Sequence, residues 1–319
     1  MRVSTTCPGV FGRAAFFVLM ASGGGCCGHA YLNAVTSYTT TAVEGVKSLN
    51  TLPEIAASSC RKRAAATYLA QRFEGTEGRP FWEDYYLAPK QADGALSWSD
   101  YCADVKASGK NFQALLAILV TYANAMKTLA AQGAWDGSSL ATLTGNLSTL
   151  VGASTPLGDS LSAMGGPAKQ LGAVIVASYT ESRTQAFAAA ADSSVQAILK
   201  GLGDYIDAVD RDVVTPEKQK RLEVLKTLEG PKMNTWKQPL DPTAGLAVFR
   251  YATEFDADSA RLTARFATDK TLITKLAAGH AALAKAQQSE ASASTVAAAV
   301  ADMVAALTQA AGSGPESNN

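Results

Sequence analysis

Apolar residues recur along most of the chain at three- and four-residue spacing, the period of a helix with one buried face. The clearest run is "NFQALLAILVTYANAMKTLAAQG". In it Phe112, Leu115, Leu116, Leu119, Tyr122, Met126 and Leu129 fall on one stripe, and Gly133 supplies the stop. In "SSLATLTGNLSTLVG", Leu140, Leu143, Leu147 and Leu150 form a narrower seam suited to a single neighbouring helix. A longer stretch opens at Pro167, and its second half aligns Val195, Ile198, Leu199, Leu202, Ile206, Val209 and Val213.

Punctuation divides these runs. "AYLNAVTSYTTTAVEGVKSLN" is a first helix that Pro53 kinks or ends, and "PEIAASSCRKRAAATYLAQRFEG" stops at Gly75. Thr215 reads as the cap of a further helix, with Pro216 and Glu217 in its first turn and Gly230-Pro231 after its end. Asp241-Pro242 restart the chain, and two more helical stretches run to about Gln288 and from about Ala291 to Ala311. Alternating strand patterns are absent. The pattern predicts an all-α fold: an elongated antiparallel helical bundle with kinked helices and one aromatic-rich irregular segment. The bundle is expected over residues 26–311, with a sub-boundary near 230–242 and a disordered tail at 312–319.

The irregular segment is "RPFWEDYYLAPKQADGALSWSDYC". It gathers Phe81, Trp82, Tyr85, Tyr86, Trp98 and Tyr101 among prolines and an Asp93-Gly94 turn. Two readings fit: a loop that folds over one end of the bundle and adds bulk, or an exposed aromatic surface for a ligand or partner.

Composition sharpens this. Lys+Arg 28 against Asp+Glu 28 in 319 residues leaves no formal net charge, which removes the electrostatic attraction nucleic-acid binding needs. Alanine is the best helix former but fills little volume, so the helices should pack closely around a thin core. The interior apolar runs read as too short for a membrane crossing.

The N-terminus carries different information. Arg2 and Arg13, a short apolar run from Ala14 to Ala21, and then Gly23, Gly24 and Gly25 follow the three-part layout of an export signal. With Gly25 before Cys26, the stretch "ASGGGCCGHA" resembles a bacterial lipoprotein signal. That resemblance implies cleavage after residue 25, a lipid on Cys26 and a membrane anchor. Gly23 stands where that family usually has Leu, and Cys27 offers a second register. Ala21-Ser22-Gly23 and Gly28-His29-Ala30 would equally suit a plain secretory cut, leaving a soluble periplasmic or secreted protein.

In an oxidising compartment Cys60 and Cys102 become a disulfide candidate, with two buried thiols as the alternative. No Cys/His cluster or phosphate-cradling glycine loop is present, so no metal or other cofactor is expected. Gly158-Asp159-Ser160-Leu161-Ser162 resembles the nucleophile block of GDSL-type esterases. That family needs a preceding strand and a downstream Asp-x-x-His; here a turn precedes, and Ala277 stands three residues before His280. Asp204, Asp207, Asp210, Glu254 and Asp258 read as a solvated face paired with neighbours such as Arg211, with loose calcium binding as the alternative, and His280 reads as a structural or surface residue.

The reading is therefore a non-catalytic interaction or scaffolding protein of the cell envelope, anchored to the membrane by an N-terminal lipid and meeting an envelope protein partner. The alternatives are a membrane-active α-helical protein and, behind it, a GDSL-like esterase.

Overall fold

A computed structural model describes residues 27–73, 86–87, 97–132, 140–150, 161, 163–177, 184–229, 242–286 and 290–312. Among the described residues there is no strand, and the fold is an all-α helical bundle. Its helices are α1 (Cys27–Ser48), α2 (Leu52–Phe73), α3 (Trp98–Gln132), α4 (Leu140–Thr149), α5 (Gly165–Ala177), α6 (Thr184–Val209), α7 (Thr215–Glu229), α8 (Pro242–Lys285) and α9 (Glu290–Gly312).

The buried stripe of α1 is Tyr31, Ala34, Val35, Tyr38, Ala42, Val46 and then Leu49. A 3-10 turn, Leu49–Thr51, passes directly into α2, so Pro53 does not break a helix but lies in a first turn, where its missing N–H costs nothing. α3 begins earlier than its apolar run suggests. The Ser97 hydroxyl accepts the Asp100 backbone N–H at 3.0 Å and donates to the Asp100 carboxylate at 2.7 Å, a capping pair that starts the helix at Trp98. Trp98, Tyr101 and Cys102 are thus helical rather than part of an irregular loop.

Two other expectations change. The stretch that opens at Pro167 contains two described helices, α5 and α6. Thr215 is not a cap: α6 runs through a π-helical turn, Asp210–Val214, straight into α7. That wider turn buries the consecutive residues Val213 and Val214, which an α-helical stripe would separate. The restart at Pro242, the last two helices and the seam residues Leu143 and Leu150 lie as expected.

One contiguous core contains side chains from every helix except α7. α3 packs on α1, α2, α4, α5 and α6, while α8 and α9 close against α1, and α6 against α8. Small residues set the separations. A Cβ on Gly109 would lie 2.5 Å from Pro53 Cβ where α3 crosses α2, and one on Gly279 would lie 2.8 Å from both Met303 Sδ and Tyr38 Cε2.

One correction concerns the membrane. By length and composition alone Trp98–Ala131 could cross a bilayer, so the apolar runs are not all too short. Two-thirds (67%) of its most apolar stretch is buried within the bundle.

Candidate functional site

Two clusters of polar and aromatic side chains hold the bundle together. The first lies where α2, α3 and the π turn meet. Cys60 on α2 and Cys102 on α3 form a disulfide across a Cα–Cα distance of 5.7 Å, and both residues are buried. One turn along α2, Arg63 stacks its guanidinium over the Trp98 ring at 5.5 Å and donates from Nη1 to the Asp212 carbonyl at 3.2 Å. The Tyr101 hydroxyl donates to the same carbonyl at 3.3 Å, and its ring meets Trp98 edge-on at 6.1 Å. Burial raises the Tyr101 phenol above its ordinary range, opposed by the nearby Arg63 charge.

Of the aromatics in the irregular segment, Trp98 is 7% exposed and serves as packing, so it forms no open surface. Tyr101 and Tyr86 are half-buried against the core, while Leu87 is 63% exposed. Phe81, Trp82 and Tyr85 lie outside the described residues, as do Cys26 and Ser160.

The second cluster was not foreseen. His280 on α8 is fully buried, with Tyr122 of α3 on one ring nitrogen and Asp192 of α6 on the other. A carboxylate only accepts, so Nδ1 carries the proton and donates to Asp192 Oδ1 at 2.9 Å. In the neutral ring Nε2 then accepts the Tyr122 hydroxyl at 2.7 Å. Gln196 donates to the same carboxylate oxygen at 3.2 Å and to the Ala277 carbonyl at 2.8 Å. Tyr38 of α1 sets its ring edge against His280, centroids 6.2 Å apart, and donates to the Leu276 carbonyl at 3.2 Å. Phe187 of α6 packs on Tyr122 at 5.1 Å.

The charges follow from these contacts. The His280 hydrogen bond holds the Asp192 carboxyl below its usual range. Burial drives the Tyr38 and Tyr122 phenols well up, so both stay neutral donors. The assembly joins α1, α3, α6 and α8 through one histidine. Its spacing gives a weak sequence signal, because Asp192 and Tyr122 lie 88 and 158 residues away.

Two ion pairs complete the polar interior. Arg265 binds the buried Asp269 at 2.9 Å and reaches the Ser48 carbonyl at 2.6 Å, tying α8 to the corner between α1 and α2. Asp269 Oδ1 has no partner, and burial pushes that carboxyl up to about 6. Arg221 pairs with Glu217 at 3.2 Å and lies 4.8 Å over the Phe255 ring. Burial raises the Glu217 carboxyl, against the attraction of Arg221.

The acids expected to form a solvated face are in part paired: Asp204 with Lys200, Asp207 with Lys270, and Asp258 with Lys62 and Arg261. Arg211 pairs with Asp212. Among the described residues no three His, Cys, Asp or Glu side chains gather as a metal site would require. Comparison with known proteins gives no match: no family model, curated protein or solved structure is significantly similar to the chain.

Proposed function

We propose that the protein is an exported, lipid-anchored helical bundle that acts as a non-catalytic interaction or scaffolding component of a bacterial cell envelope. The observation that carries this reading is the buried Cys60–Cys102 disulfide, since such bonds form and persist in oxidising compartments. The N-terminal pattern agrees with it: two arginines, a short apolar run, then Gly25 before Cys26. Cys26 immediately precedes α1, so a lipid there would seat the bundle against the bilayer without a linker. Its partners are then the membrane, through the lipid, and an envelope protein. The non-catalytic part draws support from His280, which has both nitrogens engaged and no exposure, and so offers no base to Ser160.

Detergent phase partitioning of the wild type and Cys26→Ser tests the anchor. The wild type should enter the detergent phase and the variant the aqueous phase; equal aqueous partitioning would refute lipidation at Cys26. One observation favours a second reading, a membrane-active protein: α3 is long and apolar enough to cross a bilayer. Dye release from anionic liposomes, suppressed while the disulfide is intact and appearing on reduction, would favour it. Intact vesicles in both states would exclude it.

A further inference from the structure

Along α3 the stripe Gln113, Ala117, Val120 and Asn124 faces a groove between the C-terminal end of α1 and the first turns of α4. The groove has a volume of about 360 Å³, the size of a small-molecule site. Leu116 and Val120 make its floor apolar, and the small Ala117 side chain leaves room above them. Lys47 and Asn50 from the α1 end join Gln113 and Asn124 at the rim. None of these four side chains forms an ion pair or hydrogen bond among the described residues. Lys47 is the one ionic group among the described lining residues. The Thr121 hydroxyl is already committed to the Ala117 carbonyl at 2.9 Å.

An apolar floor, unengaged carboxamides and an ammonium with no ion pair among the described residues together select for one kind of guest. We propose that this groove binds a small amphiphilic carboxylate, with its apolar chain on Leu116 and Val120 and its carboxylate on Lys47. The carboxamides of Asn50 and Gln113 donate to the remaining carboxylate lone pairs, which makes the recognition directional. A cationic amphiphile meets Lys47 as a like charge. A neutral alcohol keeps the floor contact and loses the ionic one. This site stands apart from the export reading and needs neither the lipid nor an envelope partner.

Calorimetric titration with octanoate, 1-octanol and octylammonium at low salt tests the proposal, all kept below the onset of micelle formation. Octanoate should bind saturably and roughly threefold to tenfold more tightly than the alcohol, with octylammonium weakest. In Lys47→Gln the preference for octanoate over the alcohol should disappear while the alcohol's own binding stays. In Ala117→Leu, which fills the groove without touching the lysine, binding of both should be lost. Unchanged melting curves for the two variants would assign these losses to the site rather than to unfolding. No saturable octanoate binding, or octanoate no tighter than the alcohol, would overturn the proposal, and so would binding that both substitutions leave unchanged.

Discussion

The stapled end and the histidine-centred interior solve the same problem with opposite chemistry. At the stapled end, one covalent bond joins α2 to α3, and a stacked arginine and a tyrosine reach across to a single carbonyl of the π turn. In the interior, four helices meet on one imidazole with no covalent tie. An alanine-rich bundle has little side-chain volume with which to specify which helix packs where. Directional contacts supply that specification in both regions.

Breaking the staple should have the largest effect. Replacing Cys60 and Cys102 by serine, or reducing them, should lower unfolding stability by about 4 kcal/mol, the loop-closure value for this sequence separation of 42 residues. Urea denaturation with and without reductant measures it, and no difference for the double variant is the internal control. His280→Ala comes next. It leaves the Tyr122 hydroxyl and the Asp192 carboxylate without their shared partner and opens a hole among α1, α3 and α8, at a cost of about 3 kcal/mol. If the two regions are independent, combining it with loss of the disulfide should give the sum of the separate effects.

Asp269 sharpens the comparison because its sign is reversed. Its folded carboxyl titrates at about 6 against an ordinary 3.8, so its contribution is complete below pH 3.8 and is lost as pH rises through about 6. Asp269→Asn, which imitates the protonated form, should therefore remove this pH dependence, so that the variant gains on the wild type as pH rises through about 6. Asp192 behaves oppositely: its lowered carboxyl contributes above the ordinary range and is lost as pH falls through its folded value, so Asp192→Asn should destabilise at neutral pH. Melting curves across that range distinguish the two. The smallest effect belongs to Tyr205, buried against Phe112 at 4.8 Å with its hydroxyl unpartnered. Tyr205→Phe should leave stability unchanged or raise it by up to about 1 kcal/mol.

The two regions also differ in how much the sequence discloses. Cys60 and Cys102 could be paired on paper because few cysteines remain after the N-terminal ones, and pairing is a property of residue type. The stripe of α6 and the restart at Pro242 were legible for the same reason, since spacing alone carries them. The start of α3 is also written in the sequence, as Ser97-Trp98-Ser99-Asp100, although the prolines and aromatics around it have the composition of a loop. Trp98 illustrates the limit. Its clustering with other aromatics left packing and an open surface both possible, and Arg63, one turn beyond Cys60, lies over the ring and decides for packing. The π turn has no sequence signature, because Thr215-Pro216-Glu217 is a good helix start that the burial of Val213 and Val214 overrides. The histidine centre was illegible: its members come from four helices, and neither partner of His280 stands at a motif spacing.

Export and an oxidised staple are the centre of the account, and the redox state of Cys60 and Cys102 in the producing cell tests them most directly. Cells quenched in acid, alkylated under denaturing conditions and digested without reduction should yield one disulfide-linked peptide pair containing both residues. Free, fully alkylated Cys60 and Cys102 in the quenched cells would contradict the account.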